Sequence, residues 1–507
     1  MPPYILTLDI GSSSVRAILF DTDARPVSGC IAQVGHNMST SEEGSASFDP
    51  NKLLDGAINV IDQVLAAAGP RANEIAGVTT ATFVSNILGV DQHGEPTTPI
   101  YTYADTRNVQ AATELRSQLG PSGIRTAHDR TGCLIHTSYL PARFRWLQQS
   151  HPHLLEKTTH WLSIGEYILW KFLGQRVAGF SVASWTGLLD RRTLEWDAEW
   201  LDQLPINVEQ LSPLVDIDQP LTGLLPEWGK RWPSLASAPW YPAVGDGAAA
   251  NVGSGAGMVQ PDPAGVQQIA LTIGTTGAMR MVVDADGVED LATPDGLWLY
   301  RVDRQRGLLG GATTEGGNVY AWARRTLQLP DSEAIESALS NNIPASHGLT
   351  VLPFIAGERA PGWDDDARAS IIGFSLDTDP LELLQASIEG VCYRFALIYQ
   401  RIAESQPPDT QFQIMAGGGA ILQSPAWLQL MADVLNHPVH ALQEHEVTAR
   451  GLAIIGLEQL GIVQKTEHPV PLLGTTYHPD PQRHEIHKAA ITRQVEMYVR
   501  LKKNQDL

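Results

Sequence analysis

Two stretches of the chain 263 positions apart repeat one device: Thr7-Leu-Asp-Ile-Gly-Ser-Ser-Ser-Val-Arg16 and Ala270-Leu-Thr-Ile-Gly-Thr-Thr-Gly-Ala-Met279. In each, a β-branched and apolar run ends at a glycine, small hydroxyl residues follow, and an apolar run resumes. The pattern predicts a β-hairpin whose tip offers backbone N–H groups and hydroxyls, a donor set suited to phosphate. Asp9 stands in the first copy where the second has Thr272, so only the first offers a metal ion an anionic ligand. A carboxylate beside a phosphate turn can hold hydrated Mg2+. An Asp there can also merely cap the turn, but the acid-free repeat favours the phosphate reading.

Asp246 is the second acid with a chemical setting, flanked by Gly245 and Gly247 and followed by an alanine-rich run. The glycines would let a ligand approach closely, and the carboxylate could accept a proton from a hydroxyl as a general base. The alternative is a helix N-cap. Ala416-Gly-Gly-Gly-Ala420 follows the apolar run Phe412 to Met415 and precedes a helix opening at Ser424-Pro425. Three glycines at a strand-to-helix turn leave room for a flat ring or a phosphate, or make only a turn. Gly310-Gly311 and Gly316-Gly317 carry the same ambiguity.

The elements that must position these groups fall into two similar series. After the first hairpin come a strand near Gly29 to Val34, a helix from the Asp49-Pro50 start signal through Leu53 to Ala68, and a buried strand from Ile75 to Ala81. Three strands, a helix and a strand are how a ribonuclease-H-like half begins. The second series is a hairpin from Ile269, a strand near Gly307 to Gly310, a helix from Asn318 to Leu327, and a strand within Gly348 to Phe354. Between them, Trp240 to Val244 is expected to be the last strand of the first half, and Gln260-Pro-Asp-Pro263 a hinge. The fold class expected is α/β, two ribonuclease-H-like domains flanking a cleft, divided as residues 1–257 and 258–507. Chemistry belongs in that cleft.

At 507 residues the chain exceeds one ordinary core. Its 56 acidic against 35 basic residues leave a net charge of −21, which repels a phosphate backbone and argues against nucleic acid as a partner. Cys30, Cys133 and Cys392 are widely spaced, so neither a disulfide framework nor a zinc ribbon is expected. The opening Met-Pro-Pro-Tyr lacks the marks of an export signal, and no apolar run reaches membrane-spanning length. A cytoplasmic protein without membrane partners is the expectation.

Taken in order, Asp9 to Arg16, Gly245-Asp-Gly247, Ile273-Gly-Thr-Thr-Gly277, Ala356-Gly-Glu-Arg-Ala-Pro361 and the series from Gly417 to Asp433, Gly-Gly-Gly-x-x-x-x-Ser-x-x-Trp-x-Gln-x-x-Ala-Asp, resemble the FGGY carbohydrate kinases. That family includes gluconate, xylulose, ribulose and glycerol kinases. The segments Ile269 to Arg280 and Leu352 to Trp363 look closest to its gluconate kinase and xylulokinase branch.

The resemblance implies an actin-like ATPase architecture in which ATP, Mg2+ and a small carbohydrate meet in the cleft. The first domain would bind the sugar and supply metal and base; the second would bind ATP. By the same resemblance Asp246 is the catalytic base and touches substrate and metal, and Asp9 holds Mg2+ through water. Gly11, Ser12, Ser13, Arg16, Gly274, Thr275, Thr276 and Gly311 contact the nucleotide phosphates, and Gly417, Gly418 and Gly419 border the adenosine. Thr82, Phe83, Asp105 and His136 line the sugar pocket together with Arg107. The chain departs from its relatives at Thr80-Ala-Thr-Phe-Val-Ser-Asn86, where a Met-His or Trp-His pair is expected and the His falls on Ser85. A sugar acid, ketose or polyol remains open as substrate, and a homodimer as assembly. The competing reading is a catalytically inactive or ATP-sensing protein that keeps the fold.

Overall fold

Each repeated stretch forms a hairpin and seeds a sheet. In the computed structural model, which describes residues 3–258, 265–284, 288, 290–364 and 366–505, Tyr4–Ile10 pairs antiparallel with Ser14–Phe20, and that strand with Pro26–Gly35. Ile75–Thr82 joins Tyr4–Ile10 in parallel, and Val244–Gly245 adds beyond it. The second half repeats this order. Val266–Ile273, Gly277–Asp284 and Arg306–Thr313 run antiparallel, while Gln411–Gly417 and Val439–Leu442 extend the sheet in parallel. Trp298–Arg301 and Leu473–Tyr477 add one strand at each edge. This is the mixed α/β duplication expected of two ribonuclease-H-like halves.

Tyr4–Ile10 is a nearly unbroken apolar run because both faces of its sheet are covered. Leu6, Leu8 and Ile10 pack with Leu53, Ala57, Val60, Ile61 and Val64 of the helix Pro50–Ala68, whose apolar residues recur at helical spacing. Its start follows the sequence signal: the Asp49 carboxylate accepts the Asn51 N–H at 2.9 Å, and Pro50 occupies the first turn. Ile5 faces the other way, into a cluster that both halves share.

That shared cluster is built where backbones touch. The helices Asp246–Gly253 and Val447–Gln459 cross on small residues. A Cβ on Gly253 would lie 1.8 Å from the Val447 carbonyl oxygen, and one on Gly451 1.8 Å from that of Ala249. The second helix also packs on the first sheet, where a Cβ at Gly456 would meet Thr79 and Ile5 side chains. Trp298–Arg301 makes a further join: the Leu299 N–H donates to the Gly132 carbonyl at 3.0 Å, and Trp185 stacks on Tyr300 with ring centroids 4.0 Å apart. Apolar burial across the seam stabilises the association of the halves.

Three expectations are adjusted here: the strand expected within Gly348 to Phe354, at Thr350–Leu352, pairs with Ser370–Ile372 in a separate two-stranded sheet, and Gln411–Gly417 takes the place beside Val266–Ile273. Within Trp240 to Val244 only the end, Val244–Gly245, is a strand, and Trp240 makes an isolated parallel bridge with Val78. The hinge expected at Gln260 to Pro263 lies outside the described residues. Among those residues, no helix is long and apolar enough to cross a membrane.

Candidate active site

The two hairpin tips are built alike. In the first, the Gly11 N–H folds inward to the Ser14 carbonyl at 3.0 Å. In the second, the Gly274 N–H reaches the Thr276 carbonyl at 2.9 Å. The next two amides of each turn, at Ser12 and Ser13 and at Thr275 and Thr276, donate to no described residue. Each turn thus presents two N–H groups and two hydroxyls outward, an arrangement that attracts anions.

The second turn is held by the residues that were ambiguous in sequence. Gly317 donates its N–H to the Gly274 carbonyl at 2.7 Å, and Asn318 donates to that of Thr275 at 3.0 Å. A Cβ on Gly316 would lie 2.8 Å from the Thr276 carbonyl carbon, so only glycine allows the approach. Gly311 is a correction. It lies in the strand Arg306–Thr313 with its Cα toward Ala360, whose Cβ would stand 2.7 Å from an added one. It is a packing glycine of the core, and Gly316-Gly317 occupy the place beside the turn. Of the three glycines at 417–419, Gly418 has φ +99° and sits against the Ile273 backbone, whereas Gly419 borders open space.

Asp9 is the penultimate residue of the strand Tyr4–Ile10, and Asp246 opens the helix Asp246–Gly253. Both are partly exposed. Gly245 is the N-cap residue, and Asp246, in the first turn, accepts the Gly247 N–H at 2.7 Å. The carboxylate therefore serves the helix end and still has oxygen lone pairs to spare. Burial pushes Asp246 up to about 6, against the pull of Arg280 and the Gly247 N–H. Burial together with the Asp246 charge pushes Asp9 to about 7, opposed by Arg16. An acid raised by burial and by a neighbouring carboxylate in this way marks a candidate functional site. Arg16 supplies little positive charge there, because its guanidinium is paired with Glu446 at the start of the helix Val447–Gln459.

The glycines beside Asp246 have a different cause from the one expected. A Cβ on Gly245 would come 3.0 Å from Trp185 Nε1, and one on Gly247 3.0 Å from its Cη2. They make room for an indole ring packed beneath the acid, which fixes the start of the helix.

A cavity of about 1020 Å³ opens between the halves. Arg107, His136 and Trp146 line it from the first half, and Thr276, Thr314 and Arg359 from the second. His136 Nδ1 accepts the Ser138 N–H at 3.1 Å, leaving the proton of a neutral ring on Nε2, and the ring meets Trp363 edge-on at 4.9 Å. Asp105 is fully buried. It receives two guanidinium N–H groups of Arg107, at 3.0 and 2.6 Å, that residue's backbone N–H at 3.2 Å, and one N–H of Arg143, at 3.1 Å. Asp105 thus orients Arg107 and does not itself face the cavity.

Thr82 and Phe83 are corrections to the expected sugar pocket. Both are buried, and Phe83 packs in the first-half core edge-on to Phe48. Ser85 does not replace the missing histidine: its φ is +54° and its hydroxyl donates to the Trp185 carbonyl at 2.9 Å.

Three further residues join the site. Arg280 and Arg359 lie beside it, and Glu315 is buried next to Thr314. The Thr314 hydroxyl has two acceptors in reach, Glu315 Oε1 at 2.5 Å and the Gly357 carbonyl at 2.6 Å. Its single proton can satisfy only one. Burial raises Glu315 to about 7, so a protonated Glu315 can donate to Thr314 while Thr314 donates to Gly357. The sequence signal for Arg280 is a lone cation in the apolar run Ala278-Met-Arg-Met-Val-Val283.

The chain matches the N-terminal domain of the FGGY family of carbohydrate kinases over residues 4–253 and the C-terminal domain over residues 269–459. It is 26% identical over 496 residues to a gluconokinase from Bacillus subtilis, covering 95% of this chain and 92% of that protein. It is 27% identical over 469 residues to a glycerol kinase from Symbiobacterium thermophilum, with 89% of each covered. Among solved structures, a gluconate kinase from Lactobacillus acidophilus superimposes with a TM-score of 0.89 at 24% identity, covering 99% of this chain and 98% of that one. A ligand-bound xylulose kinase from the same organism gives 0.88 at 24% identity, with the same coverage of both chains. Matched in both halves and in chain order, the chain belongs to the FGGY family of carbohydrate kinases, which transfer a phosphoryl group to a carbohydrate hydroxyl.

Proposed function

We propose that this enzyme uses ATP and Mg2+ to phosphorylate a hydroxyl of a small sugar acid, ketose or polyol, with Asp246 as general base. The observation that carries this reading is the position of Asp246: an acid raised to about 6, partly exposed, and close enough to Asp9 to raise it further. A base near neutrality is matched to taking the proton of an attacking hydroxyl. The metal fits the residues present. Among the described residues no three metal-binding side chains cluster, so an ion beside Asp9 and Asp246 would keep several waters, the habit of Mg2+. When bound, Mg2+ supplies the charge neutralisation that phosphate oxygens need.

The remaining roles follow from the same placement. The free amides and hydroxyls of Ser12, Ser13, Thr275 and Thr276 hold phosphate oxygens, and the open side of Gly419 admits the adenosine. His136 and Arg107, held by Asp105, orient the sugar. Phosphoryl transfer asks for little covalent chemistry, so positioning and electrostatics supply most of the rate. Residues 1–257 act as the sugar, metal and base domain and residues 258–507 as the ATP domain. The buried, unbridged Cys30, Cys133 and Cys392 favour a reducing cytoplasm.

The test is ATP turnover with and without gluconate, tetronates, pentuloses and polyols, with the phosphorylated product identified by mass. Turnover that rises strongly with one of these supports the proposal. ATP hydrolysis indifferent to every one of them, or no turnover at all, overturns it.

A further inference from the structure

The chain pairs its buried arginines carefully. Arg143 is bonded to Asp105, Arg191 to Asp129, Arg306 to Asp303 and Glu458, and Arg394 to Glu358. Arg301 and Arg450 donate to backbone carbonyls. The half-buried Arg280 and Arg359 break this habit, as Arg145 of the helix Leu140–Ser150 also does. Neither side chain makes a hydrogen bond or ion pair with any described residue, and both Nε atoms are buried without a partner.

Their surroundings make the omission costly. Arg280 projects from the strand Gly277–Asp284 on the same face as Ala278 and Val282, which pack with Trp298, Tyr300, Leu308 and Ala312 in the apolar cluster shared by the two halves. The carboxylate that acts on it is Asp246, and Arg359 is near enough to oppose its charge. A Cβ on Gly247 would be 3.4 Å from Arg280 Nε, so the guanidinium reaches the helix end that carries the base. Arg359 lines the inter-domain cavity with its guanidinium carbon 5.5 Å from the centre of the Trp363 ring, the ring that meets His136. Arg280 has only the through-space pull of Asp246, and Arg359 only a ring face, so the hydrogen-bonding capacity of both guanidiniums is left for an arriving anion. Planar guanidinium is the side chain best shaped to take a carboxylate through two hydrogen bonds.

We propose that Arg280 and Arg359 form the carboxylate-reading pair of the sugar site, so that the substrate is a polyhydroxy acid in preference to a neutral ketose or polyol. The phosphate oxygens already have four amide donors on the two turns, whereas Arg107 of the cavity is committed to Asp105. The inference rests on the proposed kinase reading and adds the substrate class to it.

The test compares gluconate with glucitol, which has the same carbon chain and lacks the carboxylate, in the full-length enzyme and in Arg359→Met, Arg359→Lys and Arg280→Met. The pair predicts that the enzyme prefers gluconate. Each Met variant should lower kcat/KM for gluconate by about 10- to 100-fold, the scale of a lost hydrogen bond to a charged group, and so collapse the preference. Arg359→Lys should recover part of it. Without ATP, gluconate should raise the melting temperature of the parent and not of the Met variants, which reports binding apart from turnover. Melting curves of the unliganded proteins verify that the variants fold, and Arg280→Met should melt no lower than the parent. Equal loss on gluconate and glucitol with a raised KM for ATP would assign the pair to the transferred phosphoryl group and overturn the inference. A neutral sugar preferred over every acid overturns it too, while leaving the kinase intact; no phosphorylation of any sugar is failure of the kinase reading itself.

Discussion

Replacing Asp246 with Asn removes the base and leaves its surroundings nearly isosteric. The amide oxygen can still accept the Gly247 N–H that the carboxylate accepts at 2.7 Å, so the helix start is kept. What is lost is a group whose proton affinity burial has raised from 3.8 to about 6. Such a base is ionised at pH 7.5 yet about two units more basic than an exposed Asp, which helps it take a proton in the transition state. Its removal should lower kcat by about 10²- to 10⁴-fold, or about 3 to 5 kcal/mol of barrier. ATP affinity should hardly change, because the amides of Thr275 and Thr276 lie in another strand turn. The assay is kcat against pH at saturating Mg2+ and substrate, with nucleotide binding followed separately. Because the neutral acid cannot serve as base, the parent rate should fall about tenfold per unit below about pH 6, and the residual rate of Asp246→Asn should lack that limb. A variant within tenfold of the parent, or one retaining the same acid limb, refutes the role of Asp246.

Two other outcomes follow from the same geometry. Asp9→Asn should remove activity but stabilise the protein. The folded-state value of Asp9 is about 7 against 3.8 for an ordinary Asp, so the folded protein holds the extra proton between these values. Its stability therefore declines as pH rises from about 4 to 7. The Asn variant escapes that decline, and its melting temperature should exceed the parent's by about 1 to 3 °C at pH 8 without Mg2+ and match it near pH 4; a lower melting temperature at pH 8 would count against the cost of burying this charge beside Asp246. Gly451→Ala should lower the melting temperature by several degrees, because its Cβ would lie 1.8 Å from the Ala249 carbonyl oxygen with backbone on both sides. An Ala variant as stable as the parent would show that the crossing of the two helices tolerates separation.

The duplicated hairpins, the helix Pro50–Ala68 and the parallel strand Ile75–Thr82 were legible because each rests on local rules: a glycine where the chain turns, apolar spacing of a helix, a Pro at its start. Asp9 and Asp246 were legible as acids beside glycines. The reason for the glycines was not, since Trp185, whose ring they accommodate, lies 60 residues before Gly245. Thr82 and Phe83 were misread because the motif position says nothing about which way a strand end turns; Phe83 turned into the core against Phe48. Gly311 was misread for a similar reason: two glycine pairs six residues apart look alike until one is found under Ala360 and the other under the phosphate turn.

By itself the sequence determined the repeated phosphate-type turns, the single carboxylate that makes them unequal, and the two-domain α/β class, all of which depend on neighbours within a few residues. Only the tertiary structure decided that Asp246 raises Asp9, that Gly316-Gly317 clasp the second turn, and that Arg280 reaches the base, with Arg359 near it, while neither makes a hydrogen bond or ion pair with a described residue. These are through-space effects. Burial and charge are set by chain segments that approach only when the two sheets pack across the Asp246–Gly253 and Val447–Gln459 helices, and no spacing along the chain encodes that distance.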